Sequence, residues 1–292
     1  MKKLMPVLLM VFVLTVAIYG CGSGSSEKSS QPQSETLSDQ TAAAQQSNEA
    51  STTSENTQES DMSETMKKIK DSGKIVWGTN AAFPPFEMRE GDKVIGVDAE
   101  IAAKIAEKLG VELVVEDMDF KGLINALNSN QIDFIAAGFT IKPDREEQVL
   151  FTDTYFTAVQ KIIVQEGNTE IKSKDDLKGK TIGVQSGTTG DFTAEEFTED
   201  IVRFNNALEA AIDLKNGRLD AVIVDNLPAQ MIVAENEGLV ILEEKAADDE
   251  EYAIAVRKAD ADLQKIINEV LTELKESGQI DKWVEEYSLS SK

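Results

Sequence analysis

Two residues of opposite charge, Arg145 and Asp225, each follow a short buried-looking strand, and together they would suit a small ligand that carries both a carboxylate and an ammonium. The first closes the stretch DFIAAGFTIKPDR, residues 133–145. Ile132, Phe134, Ile135, Ala136 and Ala137 read as a strand covered on both faces, and Gly138 begins its exit loop. Thr140 then offers a hydroxyl, and Arg145 offers a planar fork of donors that fits a carboxylate with two parallel hydrogen bonds. A second reading leaves Arg145 in solvent beside Asp144, Glu146 or Glu147 and makes Gly138 a simple turn.

Asp225 enters through an internal echo. ALNSNQIDFIAAG (126–138) and DLKNGRLDAVIVD (213–225) share a helix end, a polar turn, an aliphatic-Asp pair and a buried strand without a gap, so that Asp133 matches Asp220 and Gly138 matches Asp225. In open α/β sheets ligands bind beyond the C-terminal ends of strands, so two facing halves would bring Arg145 and Thr140 to one side of a crevice. Asp225 and the turn QSGTTG (185–190) would form the other, the turn reading as an anion-binding nest or as an ordinary strand-to-helix loop. Asp225 could equally cap the helix around Pro228 to Ala234.

The elements that must position these groups alternate between strand and helix. KIVWGT (74–79) is a strand, and Asn80 to Glu87 is a loop stiffened by Pro84 and Pro85, which presents one of Phe83 and Phe86 to the core and the other to a ligand. Asp98 favours the positive end of a helix running to Leu109. Val111 to Val115 is a strand, and Phe120, Leu123, Ile124 and Leu127 trace a helical stripe. Strands are expected at 158–164, 181–184, 201–204, 221–224 and 251–256, and helices at 191–197, 206–216 and 260–277, with a last one holding Trp283 and Tyr287. This is an α/β protein with parallel sheets in two lobes. Segments 158–164 and 251–256 are expected to cross between the lobes as a hinge, with the C-terminal helices returning to the first.

Composition removes whole classes of chemistry. Among 292 residues there is no histidine, which excludes Ser-His-Asp, Cys-His and histidine-ligated metal sites. Cys21 is the one cysteine, so internal disulfides and cysteine-ligated clusters are excluded too. A net charge of −24 opposes nucleic-acid binding. Lys2 and Lys3 followed by the apolar run Leu4 to Ile18 and Tyr19-Gly20-Cys21 form an export signal, residues 1–20. Residues 21–65 are rich in Ser, Thr, Gln and Glu, cannot bury a core, and read as a tether.

Four motifs in order carry a resemblance: GTNAAFPPFE (78–87), GVDAEIAAKIAEKLG (96–110), DFIAAGFTIKPDRE (133–146) and GVQSGTT (183–189). From about Lys67 to Tyr287 the chain resembles the amino-acid-binding proteins of bacterial ABC importers, solute-binding family 3. The resemblance implies a type II periplasmic-binding-protein fold, with one lobe from 66–157 plus 253–292, the other from 158–252, and a two-strand hinge. It gives Arg145, Thr140, Thr188 and Thr189 to the ligand α-carboxylate, and the Gly138 carbonyl with Asp225 to the α-ammonium. Phe83 and Phe120 flank the side chain. Asn80 stands where several relatives that take polar or basic ligands have aspartate, and Gly190 lacks a side chain where others offer an amide.

The implied ligand is a polar neutral or basic amino acid, the implied partner a membrane permease, with no cofactor, no metal and a monomeric state. The junction Ile18 to Cys21 resembles a lipobox, which implies acylation of Cys21 and an anchor on the outer face of the cell membrane. The alternatives on the same fold are a sensor lobe and a dehydratase-like enzyme.

Overall fold

A computed structural model describes residues 62–289; the readings made for the signal, Cys21 and the tether up to residue 61 lie outside the described residues. The tether, expected to reach residue 65, ends earlier. Ser63 accepts a hydrogen bond from the Met66 amide and so starts helix α1 (Glu64–Ser72), with Thr65, Met66 and Ile69 buried. A capping serine inside a serine-rich tract is invisible to composition.

The first half continues with strands β1 (Lys74–Thr79), β2 (Ala82–Phe83), β3 (Glu87–Glu90) and β4 (Lys93–Ile95), helix α2 (Val97–Leu109) and strand β5 (Glu112–Asp117). Helix α3 (Leu123–Asn128), strand β6 (Phe134–Ile135) and the single turn α4 (Pro143–Glu146) follow, and then the long strand β7 (Leu150–Gln165). The second half holds β8 (Ile182–Gln185), α5 (Thr189–Glu195), β9 (Ile201–Phe204), α6 (Ala207–Lys215), β10 (Ala221–Asp225) and α7 (Asn226–Glu235). The long strand β11 (Leu239–Val256) and helices α8 (Ala261–Glu276) and α9 (Gln279–Leu289) complete the described chain.

The strands hydrogen-bond in the order β5-β1-β6-β11-β7-β10-β8-β9. The outer strands are parallel within each half, β1 with β5 and β6, and β8 with β9 and β10, as expected. The expectation of purely parallel sheets is corrected at the centre, where β7 and β11 pair antiparallel to each other and to their neighbours. These are the two crossing segments, and both are longer than the sequence indicated. The polar run EEKAADDEE (243–251) carries no apolar alternation, yet it pairs with β7 along the backbone, with register shifts at Ile241/Lys245 and Lys245/Asp249, and Thr157 and Lys161 of β7 add side-chain bonds to Glu251 and to the Glu243 carbonyl. Such irregularities weaken the ladder where the halves meet, which is where a two-strand hinge bends.

The echo has a structural cause. Asp133 accepts from the Val76 amide at 2.9 Å and donates its own amide to the Val76 carbonyl; Asp220 accepts from the Thr181 amide at 2.8 Å and donates to the Thr181 carbonyl. In each half an aspartate therefore locks the entry of one buried strand to its neighbour, and the strand delivers its last residues to the same edge.

Candidate functional site

Gly138, just past β6, has φ +51, a left-handed conformation that glycine adopts freely. Its amide donates to Asp98 Oδ2 at 2.8 Å, and a Cβ placed there would lie 2.7 Å from the Phe83 ring. Gly138→Ala is therefore expected to lower the thermal midpoint by roughly 3–10 °C, from about 1–3 kcal/mol of overpacking, as a melting curve would read.

The chain then turns at Pro143 and buries Arg145 to 4 % exposure. Nη1 donates to the Thr140 carbonyl at 2.8 Å and Nη2 to the Gly187 carbonyl, in the other half, at 3.1 Å. The guanidinium lies 4.3 Å from the Phe139 ring centre and 5.3 Å from that of Phe120. The solvated reading fails, since among the described residues no carboxylate comes within ion-pair distance of Arg145. Burial lowers its pKa to about 10.

Asp225 ends β10 at the N-cap position of α7, yet its side chain makes no capping bond. It accepts the Tyr252 hydroxyl at 2.7 Å instead. Burial, then the nearby Glu250, raise its pKa to about 7. An acid whose folded pKa lies above its unfolded value of 3.8 binds more protons folded than unfolded across that window, so its contribution to stability is lost as pH rises from about 4 to 7. The ligand-free protein should accordingly melt at lower temperature as pH rises through this window, and Asp225→Asn should flatten the dependence in a pH series of melting curves.

The remaining expected residues reach the same place with altered roles. The Thr140 hydroxyl donates to Glu250 at 2.7 Å, so it is committed within the protein. Thr188 caps α5 and donates to the Gln185 carbonyl, while Thr189 accepts from Gln160. The amides of Ser186, Gly187 and Thr188 already bond to Phe204, Asp191 and Gln185, which narrows the nest reading of the turn to the amides of Thr189 and Gly190 that open α5. Gly190 is corrected as a specificity mark, because a Cβ there would sit 2.9 Å from the Ile223 carbonyl; close packing requires the glycine. Asn80 bridges the halves by accepting from Gln185 at 2.9 Å and donating to the Met118 carbonyl at 2.8 Å. Of the two phenylalanines, Phe86 is core and Phe83 is the exposed-to-cavity wall. Asp98 does more than complement a helix end: it is fully buried and ties α2 to Gly138 and to the Tyr155 hydroxyl.

Asn80, Phe83, Phe120, Gly138, Thr140, Arg145, Thr188, Thr189 and Asp225 all line one cavity. Glu87, Ala137 and Gln185 line it too. Glu87 was not anticipated as a site residue, although a carboxylate closing the otherwise apolar run AAFPPFE is the signal that marks it. Both its oxygens and Gln185 Oε1 are buried without a donor. Lys142 reaches across the halves to lie 3.4 Å over the Phe192 ring, a cation–π contact between them.

Such a cavity, closed by groups from two halves and holding unmatched charges, can strip a small zwitterion of water and pair both of its poles. Comparison with known proteins agrees with this arrangement. Residues 75–290 match the model of the bacterial extracellular solute-binding proteins, family 3. The chain is 37 % identical over 218 residues to the arginine-binding extracellular protein ArtP of Bacillus subtilis (strain 168), covering 72 % of this chain and 84 % of that protein. The arginine-bound form of truncated ArgBP from T. maritima superimposes with TM-score 0.68 at 43 % identity, over 71 % of this chain and 99 % of that one. An ancestral arginine-binding protein bound to glutamine aligns with TM-score 0.69 at 42 % identity, over 74 % and 97 % of the two chains. With the two-lobed fold, the shared cavity and these likenesses in agreement, the chain belongs to the bacterial extracellular solute-binding proteins, family 3.

Proposed function

We propose that this protein captures one free amino acid between its lobes, residues 66–157 plus 253–292 and residues 158–252, and hands it to the permease of an ABC importer, and that the amino acid is L-arginine. The observation that carries this is the pair of opposite charges, one from each lobe, lining one cavity. Arg145 has no carboxylate counter-ion and Asp225 no cation among the described residues, and both are nearly fully buried. A buried unpaired charge costs several kcal/mol, which a zwitterion offsets at both ends at once.

A further acid shares the cavity. Glu87 lines it together with Arg145, Asp225, Phe83 and Phe120. A ligand with its carboxylate on Arg145 and its ammonium on Asp225 thus extends its side chain toward Glu87, between Phe83 and Phe120. The donor-less oxygens of Glu87 and Gln185 there call for a group with several donors, which a guanidinium supplies. ArtP and ArgBP, whose names or titles record arginine, support the choice. Because the contacts come from both lobes, ligand binds the closed state better than the open one and shifts the population toward it. The chain performs no catalysis in this reading. Its signal peptide directs export, and acylated Cys21 anchors the tethered monomer to the outer face of the membrane.

A thermal-shift panel of the proteinogenic amino acids and cystine on the protein lacking residues 1–61 tests this. Arginine should raise the midpoint most, by mass action on the folded state. A larger shift from an acidic or purely aliphatic amino acid would overturn the assignment.

A further inference from the structure

Glu87 and Asp98 are two fully buried carboxyl groups with no cation beside them. Asp98 Oδ2 accepts from the Gly138 amide and the Tyr155 hydroxyl, both at 2.8–2.9 Å, which leaves Oδ1 without a donor. Neither oxygen of Glu87 meets a donor either, and the backbone brings the two residues together, the Asp98 amide donating to the carbonyl of Phe86, next to Glu87, at 2.9 Å. Two ionised carboxylates cannot bond to one another; one proton between them satisfies both and removes one of two buried like charges. Every other charged or titratable group that faces the pair offers no compensation. Asp117 on β5 is held by Arg89, Tyr155 on β7 already donates to Asp98, and Asp225 on β10 is a third acid, itself pushed upward by Glu250 on β11. Arg145 lines the same cavity, but its guanidinium donates to the Thr140 and Gly187 carbonyls and makes no ion pair with Glu87 among the described residues.

From this geometry we infer that Glu87 and Asp98 share a proton in the ligand-free cavity and that a cationic ligand side chain displaces it to solvent, so that the pair sets the choice between a cationic and a neutral amino acid. The balance is simple: protein-H⁺ plus arginine gives the complex plus one H⁺ in the buffer. A neutral side chain leaves the proton in place, and its amide can hydrogen-bond to the protonated pair. Acid pH then favours the neutral ligand and alkaline pH the cationic one. Burial pushes both carboxyls upward, Asp98 to about 6, and Asp98, Asp117 and Asp225 add to the push on Glu87, consistent with a pair that still holds this proton in mildly acid solution. The inference rests on the arginine reading, and it adds to that reading a proton that relatives bound to arginine or to glutamine do not reveal.

Isothermal titration of wild type with arginine and with glutamine at pH 6, in buffers of differing ionisation enthalpy, is the test. Asp225 meets the ammonium of either ligand, so the proton it releases is common to both and is removed by the comparison. Arginine should release close to one proton more than glutamine, and the arginine-to-glutamine affinity ratio should rise up to tenfold per pH unit over the window of release. Glu87→Gln should abolish both the difference in proton release and the pH dependence of the ratio; a variant that keeps both overturns the assignment of the proton to this pair. Equal proton release for the two ligands in wild type overturns the inference and leaves the arginine reading standing. Absence of arginine binding in wild type at any pH overturns the arginine reading itself.

Discussion

Arg145→Ala is expected to reduce amino-acid affinity by roughly 10²–10³-fold or more in a calorimetric titration, since truncating one member of a buried ion pair costs about 3–5 kcal/mol. The fold should survive. In the ligand-free protein the guanidinium is desolvated without a counter-ion, and the bonds lost are those to the Thr140 and Gly187 carbonyls. Removing an uncompensated buried charge offsets the loss of those bonds and of the stacking on Phe139. The midpoint without ligand should therefore stay within a few degrees of wild type, while the stabilisation by ligand disappears. Arg145→Lys keeps the charge and loses the fork, so an intermediate affinity is expected. Unchanged affinity in the alanine variant would remove the carboxylate clamp.

Asp225→Asn is expected to weaken binding by about 10–10³-fold, because an amide cannot neutralise an ammonium in a closed cavity. Its stability effect separates two roles that sequence left open. A capping aspartate would destabilise α7 on replacement by about 1 kcal/mol. Here the side chain bonds to Tyr252 rather than to the helix, and asparagine can still accept that hydroxyl. Lost affinity with a midpoint preserved near neutral pH is the expected pattern; a lower midpoint with unchanged affinity would return Asp225 to a structural role.

How much of this was legible in the sequence depends on the distance over which each signal acts. The strand before Gly138 and its echo before Asp225 were readable because buried strands need unbroken apolar runs, and Asp133 and Asp220 recur because each locks such a strand to its neighbour. Those local patterns pointed to Gly138, Thr140, Arg145, Asp225 and the turn at 185–190, the resemblance supplied the rest, and all nine expected residues line one cavity. What stayed hidden depends on partners far along the chain. Nothing near Thr140 announces that Glu250, 110 residues later, takes its hydroxyl. Gly190 suggested a missing ligand contact, and only the approach of the Ile223 carbonyl explains it. Residues 243–250 drew no strand expectation because their acidic run lacks apolar alternation, yet they pair with β7 as part of β11. Glu87 was passed over because its burial arises from Asp98, Tyr155 and the closed lobes, none of them adjacent to it in sequence.

The account turns on two unmatched charges meeting the two ends of one ligand, and a crystal structure of the protein with L-arginine tests it most directly. The α-carboxylate should lie within hydrogen-bonding distance of the Arg145 guanidinium and the α-ammonium within that distance of Asp225, with the side chain running between Phe83 and Phe120 toward Glu87. Arginine bound with its carboxylate away from Arg145, or outside the interlobe cavity altogether, would contradict it.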